Sequence, residues 1–132
     1  MADDTRLNAD GAEEGGGAPH KEADEALERY KLHSSEGERL LAKEYSSSAI
    51  ASFIQAAGFI GSIKEVQVRR QCECTLFCNL GKGYADIFEK AKSVECFNHA
   101  IKVAQEIGDE DAERRAHVAK GEAYADFATG NS

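Results

Sequence analysis

The chain of 132 residues contains no tryptophan and a single proline, Pro19. The scarcity of proline suits long helices, because proline removes a backbone donor and clashes with the preceding turn. The sequence also lacks a run of about 18 apolar residues, so we expect no transmembrane helix and no membrane insertion. No basic-then-apolar segment opens the chain, which argues against a secretory leader and favours a cytoplasmic protein.

Catalytic and metal-binding patterns are also missing. The four cysteines (Cys72, Cys74, Cys78 and Cys96) have no histidine at zinc-finger spacing, and only Cys74 and Cys78 share a helix face. We interpret them as reduced thiols that pack in a core or a groove. No P-loop, nucleophile elbow or paired-carboxylate arrangement occurs. We therefore expect a protein that is not an enzyme and uses no metal or cofactor.

Basic clusters are absent as well, and the net charge is −8. Nucleic-acid binding needs clustered Lys and Arg to neutralise phosphates, so we expect no nucleic-acid partner. Residues 1–20 are polar and glycine-rich, which predicts a disordered acidic tail before a folded domain at 21–132. Acidic residues concentrate early in the chain, at Asp3, Asp4, Glu13, Glu14, Glu22, Asp24, Glu25 and Glu28.

From Lys21 onward, apolar residues recur with the 3.6-residue period of an amphipathic helix, and no segment alternates for long enough to be a strand. We expect the serines at 46–48 to cap the second helix. Gly108 suits a left-handed helix end, and Asp109 suits the cap of the fifth helix. The pattern predicts an all-α fold with helices at about 22–43, 47–59, 63–86, 89–106 and 109–128.

A glycine-centred pattern recurs along the chain. Gly37 is followed by a small residue, a phenylalanine and an alanine at offsets of 12, 16 and 19, and Gly81 is followed by the same types at the same offsets. Gly121 begins a copy of the segment at Gly81, with a period of 121 − 81 = 40 residues. Such a period is typical of helical repeat proteins, in which glycine lets two helices approach closely. The matched residues are Ala49, Phe53 and Ala56; Ser93, Phe97 and Ala100; and Tyr84, Ala85 and Asp86, repeated as Tyr124, Ala125 and Asp126.

The second unit resembles a tetratricopeptide (TPR) repeat. Residues 77–84 read F-x-x-L-G-x-x-Y and residues 93–100 read S-x-x-x-F-x-x-A, which is close to the TPR pattern of two packed helices. The resemblance implies a TPR-like helical solenoid of two helical hairpins plus a C-terminal capping helix. The units span about 22–61 and 62–108, with a half-repeat at 109–128.

The third unit departs from the second at the leucine before the glycine. Lys120 stands where Leu80 stands in the second unit. We expect Lys120 to reach water because its unit has no second helix to cover it, as a capping helix requires. The alternative is a truncated piece of a longer array.

Longer stretches are similar to the LGN/Pins group of G-protein-signalling modulators. Residues 36–40 (EGERL) and 52–57 (SFIQAA) resemble that group's first repeat, and residues 79–84 (NLGKGY) and 104–109 (AQEIGD) resemble the next. The resemblance implies an adaptor whose concave groove binds extended or helical peptides of partner proteins. The GoLoco motifs by which full members bind Gα do not occur in this chain.

The first helix of each unit would line this groove, and counting from the glycines selects nine residues that face it. Asn79 matches an asparagine that such repeats use to bond a peptide backbone. A merely solvated face is the alternative interpretation. The nine are Lys31, Ser34, Glu38, Asn79, Lys82, Asp86, Arg115, Glu122 and Asp126.

These patterns predict a cytoplasmic adaptor that binds a protein or peptide through its concave face. The alternative is a structural subunit of a ciliary or cytoskeletal assembly, held by its convex face or its ends. Self-association, with the last helix stacking on another copy, stays open as a third interpretation.

Overall fold

The structure is a computed structural model that describes residues 24–129. Within that range the chain forms five helices and no strand, so the all-α prediction is confirmed. The acidic segment at 1–20 lies outside the described residues. The helices are α1 (Glu25–Ala42), α2 (Ser46–Ile60), α3 (Val66–Asp86), α4 (Lys90–Ile107) and α5 (Glu110–Thr129).

Local capping explains several of these helix ends. Asp24 accepts a hydrogen bond from the Leu27 amide at 3.1 Å and caps α1. Gly108 has φ +73° and ends α4 in the left-handed conformation, as predicted. Asp109 accepts a hydrogen bond from the Ala112 amide at 3.0 Å, which confirms it as the cap of α5.

The start of α3 differs from the prediction, because the helix begins at Val66 rather than at 63. Ile63 lies in the connection before α3, where its side chain is buried in the core. Its carbonyl accepts a hydrogen bond from Nη1 of Arg69 at 2.7 Å. The apolar character of Ile63 therefore reflects a buried loop residue, which a periodic pattern cannot distinguish from a helical one.

The connections α1–α2 and α3–α4 have the same local structure. Each contains a non-glycine residue with positive φ, Glu44 (+67°) and Phe88 (+62°). Each lies seven residues after its glycine, since 44 − 37 = 7 and 88 − 81 = 7. The next amide donates to the equivalent carbonyl in both turns: Tyr45 to Leu40 and Glu89 to Tyr84, each at 2.9 Å.

The glycine of each pair meets the phenylalanine of the following helix. A Cβ added to Gly37 would lie 2.5 Å from Cε1 of Phe53, and one added to Gly81 would lie 2.8 Å from Cδ1 of Phe97. These distances are shorter than real Cβ contacts, so only glycine fits without a shift of the ring. The close approaches predicted from the offsets of 16 residues are therefore present in both pairs.

The two pairs share a core along α3. Phe53 of α2 belongs to the same buried cluster as Leu76 and Leu80 of α3. On the other side of α3, Phe97 packs with Ala119 and Ala123 of α5. Each phenylalanine thus fills the space between its own pair and the next first helix.

The explanation expected for Lys120 is wrong. The equivalent residue, Leu80, packs on α2, the second helix of the preceding pair. Lys120 likewise faces the preceding helix, where its Nζ donates to Oδ1 of Asn98 on α4 at 2.6 Å. A missing second helix therefore does not account for the lysine, because that position does not face its own unit's second helix.

The surroundings of Gly121 differ from those of the other two repeat glycines. A Cβ added there would meet nothing within 4 Å among the described residues. One turn further on, Tyr124 is 42% exposed. None of the described helices is long and apolar enough to cross a membrane.

Candidate functional site

The nine residues selected from the sequence lie in three neighbouring recesses that follow α3. The first recess, of about 250 Å³, lies between α1 and α3 and contains Lys31, Ser34 and Glu38. Thr75 of α3 lines it from the opposite side. Thr75 lies six residues before Gly81, as Lys31 lies six before Gly37. Counting from the glycines could therefore have selected Thr75 as well.

The second recess lies between α3 and α5 and contains Asn79, Lys82 and Arg115. Thr75 lines this recess as well as the first, so the two adjoin. Thiol groups form part of the lining, from Cys74 and Cys78.

The third recess, of about 230 Å³, contains the remaining residues, Asp86, Glu122 and Asp126. Lys82 lines both this recess and the second. The apolar part of the lining includes Phe97, whose ring also packs over Gly81. All nine residues thus lie on one continuous surface that crosses α1, α3 and α5, and we call it the α3 surface.

A hydrogen bond crosses the α3 surface at its centre. Nδ2 of Asn79 donates to Oε2 of Glu38 at 3.2 Å, which joins α3 to α1. Asn79 is only 9% exposed, so its amide lies at the floor of the surface. The asparagine expected to meet a partner's backbone therefore already contacts the first helix pair in this structure.

A second hydrogen bond joins the pairs at the end of the surface. Oγ of Ser46 donates to Oδ2 of Asp86 at 2.8 Å. The expectation that the serines at 46–48 cap α2 is wrong, because no side chain caps that helix and Ser46 lies inside it. The Ser46 hydroxyl is used instead to hold a carboxylate of the α3 surface in position.

Tyr30 is a buried side chain that lines the first recess. Its hydroxyl donates to the carbonyl of Cys72 at 3.0 Å, across the gap between α1 and α3. Burial raises the pKa of Tyr30 from its ordinary value of 10.0 to about 12, so the phenol is neutral at physiological pH. The residue therefore contributes packing and hydrogen bonding rather than charge.

The four thiols are poorly suited to act as nucleophiles or as metal ligands. Burial raises the pKa of Cys72, Cys74 and Cys78, and it raises the pKa of Cys96 to about 11. A thiol that stays protonated is a weak nucleophile and a weak metal ligand. In the part of the chain that the structure describes, no group of three His, Cys, Asp or Glu residues is arranged to hold a metal ion.

The charges on the α3 surface are separated along its length. The second recess carries two basic groups, from Lys82 and Arg115. The third recess carries three carboxylates, from Asp86, Glu122 and Asp126, beside the same Lys82. A ligand that passes from the second recess to the third would therefore meet two basic groups before it reaches the three carboxylates.

A polar network between α3 and α4 was not expected from the sequence. Glu73 of α3 accepts from Nη1 of Arg70 at 2.8 Å and contacts Nε2 of His99 on α4 at 2.7 Å. Arg70 also contacts Glu106, and the His99 ring lies 4.2 Å from the ring of Phe77. Only the i, i+3 spacing of Arg70 and Glu73 is visible in the sequence. The contacts with α4 depend on the packing of the two helices.

Comparisons with known proteins do not name a relative. No family model, no curated protein and no solved structure matches the chain. The resemblance to TPR proteins and to the LGN/Pins group therefore stays a prediction, and function has to be inferred from the contacts given above.

Proposed function

We propose that the chain is a TPR-like scaffold in which α1 with α2 and α3 with α4 form two repeat units. Helix α5 is then the first helix of a third unit and caps this end of the solenoid. The equal glycine–phenylalanine contacts at Gly37 and Gly81 support this arrangement. The equal turns, with positive φ at Glu44 and Phe88, support it independently.

The function that this arrangement supports best is that of a non-enzymatic adaptor, similar to the LGN/Pins group, which acts in the cytoplasm. It binds a peptide or a helix of a partner protein on the α3 surface. The observation that carries the proposal is that the residues chosen by counting from three glycines line adjoining recesses. Groups that recur at the same offset in successive repeats provide a row of contacts for an elongated ligand.

The size and chemistry of the surface favour a short segment of chain. Helices packed at about 8–10 Å give three first helices a span of roughly 20 Å. An extended peptide crosses that distance with about six residues. Lys82 and Arg115 suit an acidic side chain of the ligand, and Asp86 and Glu122 suit a basic one.

The proposal is tested by selecting peptides from a random 12-residue display library against the chain. Binding of the selected peptides is then measured by calorimetry and mapped by amide chemical shifts. We expect at least a tenfold loss of affinity for the double variant Lys82→Ala, Arg115→Ala. The matched control is Lys102→Ala, which removes an exposed lysine of α4 outside the surface. Equal affinity for the double variant and the control, or shift changes confined to other helices, would reject the α3 surface.

A second candidate function is favoured by the exposed face of α5, where Gly121 and Tyr124 lie open among the described residues. It is a structural subunit of a ciliary or cytoskeletal assembly, held through that end of the array. Co-sedimentation with intact assemblies, unaffected by excess of a peptide selected on the α3 surface, would favour this function over the adaptor.

A further inference from the structure

The three first helices offer equivalent positions for a following helix, and two of these positions are filled. Gly37 of α1 receives the ring of Phe53, and Gly81 of α3 receives the ring of Phe97. In both cases the incoming helix carries a small residue four positions before the phenylalanine and an alanine three positions after it. These two examples define the pattern with which a helix packs on a first helix of this chain: a small residue, a phenylalanine four positions later and an alanine three positions after that.

The third position is formed but empty among the described residues. Gly121 has open space around it, and Tyr124 is 42% exposed. The side chain of His117, one turn before the glycine, is 56% exposed. The equivalents of these two side chains in α3 are Phe77 and Tyr84, which are only partly exposed.

A second copy of this chain is poorly suited to fill the position. The two helices that carry the required pattern are α2 and α4, and their phenylalanines, Phe53 and Phe97, are fully buried within their own pairs. A second copy could offer either helix only by opening its own core. The two helices of the chain that carry the pattern are therefore excluded as occupants, in this copy and in a second one.

The charge near Gly121 indicates one further side chain that the incoming helix should carry. In the second filled pair, formed by α3 and α4, the carboxylate of Glu73 contacts His99, which lies two residues after Phe97. The equivalent carboxylate in α5 is Glu113, since 81 − 73 = 8 and 121 − 113 = 8. Its side chain keeps 30% exposure although Gln105 of α4 donates to Oε2 at 2.8 Å and Nε2 of His117 lies 3.7 Å from the same oxygen. A basic residue two positions after the phenylalanine would complement this carboxylate.

We infer that the exposed face of α5 binds an amphipathic helix of a partner protein, with the partner's phenylalanine ring over Gly121. The partner helix runs antiparallel to α5 and carries the pattern small-x-x-x-Phe-x-basic-Ala. This surface is separate from the α3 surface, so the inference does not depend on the proposed groove ligand.

The probe for this inference is a fluorescent peptide with the sequence of Lys90–Ile107, which contains the pattern in full. A lactam bridge between the side chains of Lys102 and Glu106 holds it helical, because a free peptide of this length is marginally helical in water. Fluorescence anisotropy with the full chain should show saturable binding. The same peptide with Phe97→Ala should bind at least tenfold more weakly.

Two variants of the chain locate the binding site. Gly121→Leu should abolish peptide binding, because the leucine occupies the space meant for the ring. Gly58→Leu is the matched control, since Gly58 of α2 is likewise a helical glycine with open space around it. Both variants should fold, with melting temperatures no lower than that of the unaltered chain, and Gly58→Leu should bind the peptide normally.

Three results would overturn the inference. The first is an absence of saturable binding by the bridged peptide, and the second is equal binding to the chain and to Gly121→Leu. The third is a dimer of the chain alone in sedimentation velocity that Gly121→Leu dissociates, because a second copy would then be the occupant. Unchanged peptide binding by Lys82→Ala is expected and separates this surface from the α3 surface.

Discussion

Residues 81–86 and 121–126 share a glycine, a tyrosine, an alanine and an aspartate at the same places, yet their surroundings differ. Gly81 lies under the ring of Phe97, whereas a Cβ added to Gly121 would meet nothing within 4 Å among the described residues outside its own helix backbone. The same motif thus lies under a packed helix in the first segment and on an exposed face in the second. Whether the surface is filled depends on residues further along the chain or in another molecule.

Removing the ring that distinguishes the two segments should have the largest effect. Phe97→Ala is expected to lower the free energy of unfolding by about 3–5 kcal/mol, because it leaves a cavity in a fully buried site. The site lies between Gly81 on one side and Ala119 and Ala123 on the other, so both α3 and α5 lose packing. Urea denaturation measures the change. A loss below about 1 kcal/mol would mean that this ring does not hold the pairs together.

Adding one methyl group to the covered glycine should have the next largest effect. Gly81→Ala is expected to cost about 1–3 kcal/mol, because the new Cβ would lie 2.8 Å from three atoms of a buried ring, which would have to shift. The helical preference of alanine offsets part of that cost. Thermal and urea denaturation should both detect the loss, and an unchanged or raised stability would contradict the close approach of α3 and α4.

A buried hydroxyl offers a finer test of whether the two helix pairs are equivalent. Oγ of Ser93 donates to the carbonyl of Gly81 at 2.8 Å, and the first pair has Ala49 at the matching position. Ser93→Ala should cost about 1 kcal/mol. Ala49→Ser should cost less than that, because the carbonyl of Gly37 is the matching acceptor. A cost of about 2 kcal/mol or more for Ala49→Ser would indicate an unsatisfied hydroxyl and pairs that are not equivalent.

The same methyl group added to the open glycine should have the smallest effect and the opposite sign. Gly121→Ala is expected to raise the free energy of unfolding by about 0.5–1 kcal/mol, because alanine restricts the unfolded chain and meets nothing in the folded one. Chemical denaturation of Gly121→Ala and Gly81→Ala under the same conditions compares the two changes in the free energy of unfolding directly. A destabilised Gly121→Ala would mean that the face of α5 is covered in solution.

Much of the fold could be predicted from the sequence, because helix position depends on local periodicity and the glycine–phenylalanine contacts depend on fixed offsets. The environment of Lys120 could not, since its position faces the preceding helix pair rather than its own. The role of Ser46 was also missed, because its acceptor, Asp86, lies 40 residues away. Neither contact leaves a local pattern that a sequence can reveal.

Part of the candidate site could also be predicted from the sequence, and part could not. The residues of the α3 surface could be selected by counting from the glycines, because equivalent positions on parallel first helices lie side by side. The contact between Asn79 and Glu38 could not, since it depends on the distance between two helices. The open face around Gly121 became visible only when the filled positions at Gly37 and Gly81 could be compared with it.

If the α3 surface binds a ligand as proposed, the hydrogen bond from Asn79 to Glu38 would couple ligand binding to the stiffness of the helix array. A ligand that takes either side chain for itself must release a tether between neighbouring hairpins. Ligand binding would then change how readily the two helix pairs bend against each other, even if no helix unfolds.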